Sequence, residues 1–330
     1  MADVNINQVV ASLWDAVVSD GPVDQIFTSQ ALLELLGDQG FKESVSGGKQ
    51  FEFTLEFATN TSFGSISEYG SVSVNPVTVF DAAQYTQKIW AGSVVFSDLE
   101  DLRNQVQNRK FDIVKSKLKN GMSSAMEGLE VMLCADGTGG GGLDMNGLQN
   151  LIPQDPTTGT IGGVNRATWS FFRSRTASGA KTTTIYDNLV TQMQLVYDQC
   201  SLGGTTKAPT GVYMDRATFG GYKKQLTLIE QLVKNDSGTG KAQGGDIGWQ
   251  NDALAFNGKP VMYSENCLVN TVYMLNSNFL KLCYLAGGWM KRKDPVEPAN
   301  NFTRVHRIIT VGQFCLGASR HVGIVYTTAS

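Results

Sequence analysis

Between Ser97 and Cys134 the sequence holds one helical pattern without a break, and no other feature limits the possible folds as strongly. Leu99, Leu102, Val106, Ile113, Leu118, Met122, Ala125, Leu129, Met132 and Leu133 recur at helical spacing and make a single apolar stripe. Ser97 and Asp98 suit an N-cap, and Glu100 and Asp101 place anions in the first turn, where the helix dipole favours them. At about 1.5 Å of rise per residue the segment would measure roughly 55 Å, longer than most globular domains are wide. Such a helix predicts a strut. Gly121 and Gly128 lie inside it, each costing about 1 kcal/mol relative to alanine. Either a close approach by another element or a slight bend accounts for them.

The chain before this helix has a different period. Phe51, Phe53, Leu55 and Phe57 alternate with Glu52, Thr54, Glu56 and Ala58, the pattern of a half-buried strand. A loop follows at Asn60, Thr61, Ser62 and Gly64. Strand-like segments are then expected around Ile66, Tyr69, Val72, Val74, Val77 and Val79, with a return strand over 83–89. Few large apolar residues fall between Ala58 and Gly70, and a hairpin of this kind is marginal alone. It is expected to lie on another copy of the chain. Residues 1–40 read as two short helices, one marked by Val9, Val10, Leu13, Trp14 and Val17. The other holds Ala31, Leu32, Leu35 and Leu36 and stops at Gly37. Together they suggest an arm.

Beyond the glycine cluster 137–142 the pattern is loop-rich to about Asn165 and then mixed helix and strand. Helices are expected over 185–200 and 217–232, and strands over 211–214, 253–256, 260–263, 272–275 and 281–285. Residues 234–249 form a polar, glycine-rich loop. The C-terminal residues 302–314 and 322–327 are expected to form a long strand pair that turns near Gly317, Ala318 and Ser319.

Charge is unevenly placed along the 330 residues. Residues 1–101 hold 14 acidic and three basic side chains, and residues 102–330 hold 16 acidic and 24 basic ones, balances of -11 and +8. Opposite fields of this kind suit head-to-tail contact between copies, or packing of one part on the other. On the long helix Arg103, Lys110 and Lys117 recur every seven residues. They read as a solvated face, as partners for acidic residues of the limb, or as weak contacts for nucleic-acid phosphates.

Enzymatic chemistry finds little support. The phosphate-cradle pattern fails, because Gly240-Lys241 is followed by Ala242 and Asn235 stands where the first glycine belongs. The glycine cluster follows a helix rather than a strand, so a hinge is the better reading than a dinucleotide site. His306, His321 and Cys315 lie at spacings that do not make a nucleophile pair on a strand. The five cysteines are far apart and are expected to be reduced and structural. No catalytic residue, cofactor site or metal site is expected. The N-terminus lacks the pattern of a signal peptide and no apolar run is long enough to span a membrane, so cytoplasmic synthesis is expected.

The order of parts resembles the major capsid proteins of tailed bacteriophages. Local sequence adds to the likeness. Gly147-Leu148-Gln149-Asn150-Leu151-Ile152, then Gly159, then Gly162-Gly163-Val164-Asn165-Arg166-Ala167-Thr168-Trp169-Ser170-Phe171-Phe172-Arg173, is similar to a stretch common in one branch of that family. Phe256-Asn257-Gly258-Lys259-Pro260-Val261 is similar to its later turn-and-strand segment. The resemblance implies an α+β, Hong Kong 97-like fold. Its parts would be an N-arm at 1–45, an extended loop at 46–93, a peripheral domain with the spine helix at 94–143 and 291–330, and an axial domain at 144–290. It implies a chain that self-assembles into hexamers and pentamers of an icosahedral head enclosing double-stranded DNA, built in the host bacterial cytoplasm. Further partners would be scaffold, portal and decoration or cement proteins, with packaged DNA touched weakly. Interface residues expected on the limb are Phe51, Phe53, Phe57, Phe63, Ile66, Glu68 and Tyr69, and the inner basic face would be Arg103, Lys110 and Lys117. Rival readings are an encapsulin-like nanocompartment, an α/β enzyme, and another virion part.

Overall fold

The computed structural model describes residues 30–38, 40–72, 74, 76–99, 113–179, 188–202, 204–230, 255–298 and 301–327. The chain divides into a larger compact unit (30–89, 130–289 and 311–330) and a smaller one that includes 90–129 and 290–310. The expected first N-terminal helix, the glycine-rich 234–249 loop and most of the first half of the spine helix lie outside the described residues.

In chain order the larger unit begins with helix α1 (Ala31–Asp38) and strand β1 (Lys42–Val45). Strands β2 (Gln50–Glu56) and β3 (Phe80–Thr86) form the base of the limb, and β4 (Lys88–Ser97) leads into the smaller unit. Helix α2 (Ile113–Cys134) is the described part of the spine, with Asp98 and Leu99 also helical. Next come α3 (Leu148–Leu151), the short strands β5 (Thr160–Ile161) and β6 (Val164–Asn165), and β7 (Arg175–Gly179). Helix α4 (Leu189–Ser201), β8 (Gly211–Asp215) and α5 (Arg216–Glu230) follow. The remaining strands are β9 (Ala255–Phe256), β10 (Lys259–Ser264), β11 (Thr271–Leu275), β12 (Leu280–Leu285), β13 (Lys291–Arg292), β14 (Thr303–Leu316) and β15 (Gly323–Thr327).

The core of the larger unit is a mixed six-stranded sheet in the order β7-β15-β11-β8-β10-β9. Every residue of β8 and β11 is buried, as a central strand covered on both faces requires. On one face Val212, Met214, Val272 and Met274 pack with Leu189, Met193, Val196 and Cys200 of α4 and with Phe219 and Tyr222 of α5. The opposite face receives Leu35 of α1, which sits against Gly211 so closely that a Cβ there would lie 2.9 Å from Leu35 Cδ1. Helix α5 starts where it does because Asp215 caps it, its Oδ2 accepting the amides of Ala217 (3.1 Å) and Thr218 (3.3 Å). Residues 30–45, expected as part of an arm, are woven into this unit. Leu32, Leu35 and Leu36 are fully buried, and β1 pairs in parallel with β12.

The C-terminus departs from expectation. Strands β14 and β15 exist, yet they do not pair with each other. The end of β14 pairs with β12, whereas β15 pairs with β11 and β7 in the six-stranded sheet. Between them the turn Ser319–His321 redirects the chain, held by His321, which stacks on Phe279 at 4.4 Å and has Nδ1 2.9 Å from the Cys200 carbonyl oxygen. Alternation in sequence reports that a strand has two unlike faces. It does not report which strand lies beside it.

In the smaller unit β13 and β4 both pair with β14, and β4 lies against α2. This packing decides between the two explanations of the helix glycines. A Cβ on Gly121 would overlap Val94 Cγ2, and one on Gly128 would come within 2.8 Å of Trp90 Cζ2. The Trp90 indole also donates to the Ala125 carbonyl at 3.3 Å. Glycine here allows a close approach.

Candidate assembly surfaces

The limb has a root and a tip, and the structure treats them differently. At the root β2 and β3 pair antiparallel from Gln50↔Thr86 to Glu56↔Phe80. Alternation turns Phe51, Leu55, Ala83 and Tyr85 into the same chain's core, and all four are buried. Each of the large ones stabilises the root by about 1.5–3 kcal/mol. The Tyr85 hydroxyl donates to the Leu316 carbonyl at 2.7 Å, and burial raises its pKa above the ordinary phenol value, helped by nearby Cys315. Gln313 Nε2 donates to the Thr86 carbonyl at 3.1 Å.

Beneath the root sits the segment with the family-like sequence. Gly162 (φ +57) and Gly163 (φ +81) form the two-residue turn between β5 and β6, and both need left-handed backbone. Gly162 also carries the root: its carbonyl accepts the Gln84 amide at 2.9 Å, and a Cβ there would stand 3.0 Å from Ala83 and from the Tyr85 ring. Arg166 is 1% exposed; it donates to the carbonyls of Asn150 (3.1 Å) and Leu151, the last turn of α3. With burial unopposed by a carboxylate, its pKa falls to about 10. Arg173 closes the segment by donating to the carbonyls of Arg166 and Ala167, both at 2.8 Å. The motif is thus a scaffold for the limb's base, not a reactive site.

Three of the expected interface residues have partners within their own chain. Phe51 is buried in its own chain, Phe53 lies edge-on to Tyr85 at 6.2 Å, and Phe57 stacks on Phe171 at 5.4 Å beside Trp169. Each apolar side chain finds its partner within the same copy. The tip is another matter. No strand occurs among the described residues from 57 to 79, contrary to the expected strand-like segments. Phe63 is 87% exposed, Tyr69 93% and Val74 91%, with Ile66, Glu68, Val72 and Phe80 also exposed. Sequence reasoning does not single out Val72, Val74 and Phe80 as interface residues, although their exposure matches that of the residues it does. Apolar residues on a segment without ladder partners are the signal that could have found them.

Of the basic row on the spine helix, Arg103 and Lys110 lie outside the described residues. Lys117 is half-buried with its ammonium 5.9 Å from the centre of the Phe96 ring, a cation–π position that spends part of its charge within the chain. A groove of about 730 Å³ runs between β4 and α2 in the smaller unit, lined among others by Trp90, Val94, Ser116, Asn120 and Ser124. Among the described residues no catalytic groups converge there.

Cys315 is buried and its pKa is raised, first by desolvation and then by Cys283. All five cysteines are free and buried. Among the described residues no group of three His, Cys, Asp or Glu side chains could hold a metal, and no helix is long and apolar enough to cross a membrane.

The chain has the Hong Kong 97-like fold. Solved structures that share it over nearly the whole chain include that of the cyanophage A-1(L) capsid asymmetric unit, with a TM-score of 0.67 at 13% identity, covering 97% of this chain and 98% of that one. The capsid of the native GTA particle covers 100% of both chains with a TM-score of 0.61 at 13% identity. The SrpI encapsulin of Synechococcus elongatus PCC 7942 matches with a TM-score of 0.58 at 10% identity, covering 97% of this chain and 94% of that one. No family model matches the sequence, and no curated protein matches it.

Proposed function

We propose that this chain is a major capsid protein of a tailed bacteriophage, assembling into hexamers and pentamers of an icosahedral head around double-stranded DNA. The observation that carries this reading is the limb tip: a long exposed segment bearing Phe63, Ile66, Tyr69, Val72 and Val74, on a root firmly anchored to its own subunit. A soluble monomer has little reason to hold so much apolar surface in water. A subunit that drapes it over a neighbour gains the burial, and closed symmetry lets many modest contacts sum to a stable shell. The full-length likeness to phage and GTA capsid structures supports the same job.

In this reading 1–45 is the N-arm and 46–93 the extended loop. The peripheral domain takes 94–143 and 291–330, whose last strand β15 completes the axial sheet beside β11, and the axial domain takes 144–290. The chain's work is structural rather than enzymatic, it is assembled in the host cytoplasm and resides in the virion, and scaffold, portal and cement proteins would be its further partners. A nanocompartment shell is the second reading, favoured by the likeness to the SrpI encapsulin. Electron microscopy of the purified protein tests both. Closed shells that package DNA support the head reading, shells filled with cargo protein support the second, and a protein that stays monomeric at assembly concentrations removes both.

A further inference from the structure

The β13–β14 ribbon of the smaller unit carries a cationic face with no ion-pair partner among the described residues. Its register places Lys291 opposite Ile309, and the Lys293 amide donates to the Arg307 carbonyl at 2.8 Å, continuing the same register. Lys291, Lys293 and Arg307 therefore share one face of the ribbon, with Ile309 and Val305 flanking Arg307 along β14. All three cations are exposed. Like charges directly opposite each other on paired strands are mutually destabilising, and no ion pair joins any of the three to a carboxylate among the described residues. Arg304 on the other face shows the contrast, with Asp98 and Glu297 each at 3.2 Å. Asp294, next in sequence, is exposed and shows no ion pair with the three.

The limb carries the opposite surplus. From residue 50 to residue 87 the sequence has Glu52, Glu56, Glu68 and Asp81 and no lysine or arginine. The β2–β3 register puts Glu52 and Glu56 on the outward face, away from buried Phe51 and Leu55, and all four carboxylates are exposed. We propose that the Lys291–Lys293–Arg307 face is the dock for the acidic limb of a second copy of this chain. This rests on the shell reading above and names the receiving surface within it. Apolar Val305 and Ile309 among the cations suit the mixed character of the limb, whose carboxylates alternate with phenylalanine, isoleucine and tyrosine. A phosphate backbone would use the charges alone.

The test is a charge swap in the full chain. One variant carries Lys291→Glu, Lys293→Glu and Arg307→Glu, the second Glu52→Lys and Glu56→Lys, and the third combines both sets. A neutral variant with Lys291→Gln, Lys293→Gln and Arg307→Gln serves if the reversed face fails to fold, as judged by its thermal melt. Shell yield is read by sedimentation and microscopy across a salt series. We expect wild-type yield to fall with salt, the contact in each reversed variant to weaken by roughly tenfold or more (about 1.4 kcal/mol per decade), and the combined variant to recover most of the loss. Reversed and neutral variants that assemble like wild type, or a combined variant no better than its parents, would overturn the dock. Normal assembly with loss of nucleic-acid retention would overturn it too, assigning the face to phosphate. If wild-type protein never forms shells, the shell reading itself fails, a separate result.

Discussion

Root and tip of the limb are one continuous hairpin, yet the first is part of its own subunit's core and the second is almost bare. The root has a ladder, four buried side chains and hydrogen bonds from Tyr85, Gln84 and Gln313. Among its described residues the tip has no strand and no buried side chain. A limb wholly dependent on a neighbour would be loose before assembly and would have to be ordered as the shell forms, at an entropic cost of about 1–2 kcal/mol per fixed residue. A limb with a fixed root presents its tip from a defined position, so that cost falls mainly on the tip. The need for a partner is confined to a shorter stretch than residues 46–93.

The largest effect should come from removing the tip. Deleting residues 58–72 takes away Phe63, Ile66, Glu68, Tyr69 and Val72 but leaves β2 and β3 paired. The variant should fold, with a thermal midpoint within a few degrees of wild type for a stability change of under about 1 kcal/mol, and fail to close shells. Normal shells from this protein would remove the tip's role, and an unfolded protein would remove the distinction between tip and root.

Disturbing the root should do the reverse, lowering subunit stability first. Gly162→Val combines a side chain at φ +57 with atoms already 3.0 Å from where its Cβ must go. Strain and overlap together should cost about 2–4 kcal/mol, read as a lower urea midpoint in the unassembled subunit. Arg166→Leu removes the donors that serve the Asn150 and Leu151 carbonyls. It also relieves the desolvation of a buried cation, so the expected loss is smaller, about 1–3 kcal/mol. Should Gly162→Val leave the midpoint unchanged while shells are lost, the turn would belong to an interface instead.

How much of this could be read from the chain depends on whether a residue's role was local. The two helix glycines were visible as costs, but their cause, Val94 and Trp90 of β4, came from a strand at least 27 residues away. Strands β8, β10, β11 and β12 were legible because each is a short apolar run between turn residues. The separation of β14 from β15 was not, since sheet partners are chosen by the whole fold. For the limb, alternation in 51–57 correctly marked a two-faced strand and said nothing about whose core the phenylalanines enter. Arg166 stood out only by resemblance. A lone arginine in a polar loop gives no hint that it will be almost wholly buried.

The smallest expected effect concerns Glu130, in the last turn-and-a-half of α2, which belongs to the larger unit. Its side chain is fully buried and one carboxylate oxygen accepts the Ser264 hydroxyl at 3.1 Å. Burial raises its pKa above the ordinary carboxylate value of 4.5, outweighing the Ser264 bond. A group whose folded pKa is raised binds its proton more tightly in the native state, so its contribution is complete below the unfolded pKa and is lost as pH rises through the folded one. Wild-type stability should therefore contain a component that declines from about pH 4.5 upward. Glu130→Gln keeps an acceptor for Ser264 without the charge. It should flatten that component and change stability by no more than about 1 kcal/mol at neutral pH, in the stabilising direction. Urea midpoints of the two unassembled proteins across that range measure the difference directly. If the two curves stay parallel, Glu130 has no raised pKa and its burial is relieved by partners that also hold the charge. The contrast with the limb would then extend inward: even a carboxylate beside the central sheet would be settled by its own chain, while the exposed carboxylates of the limb and its apolar tip would be left waiting for another.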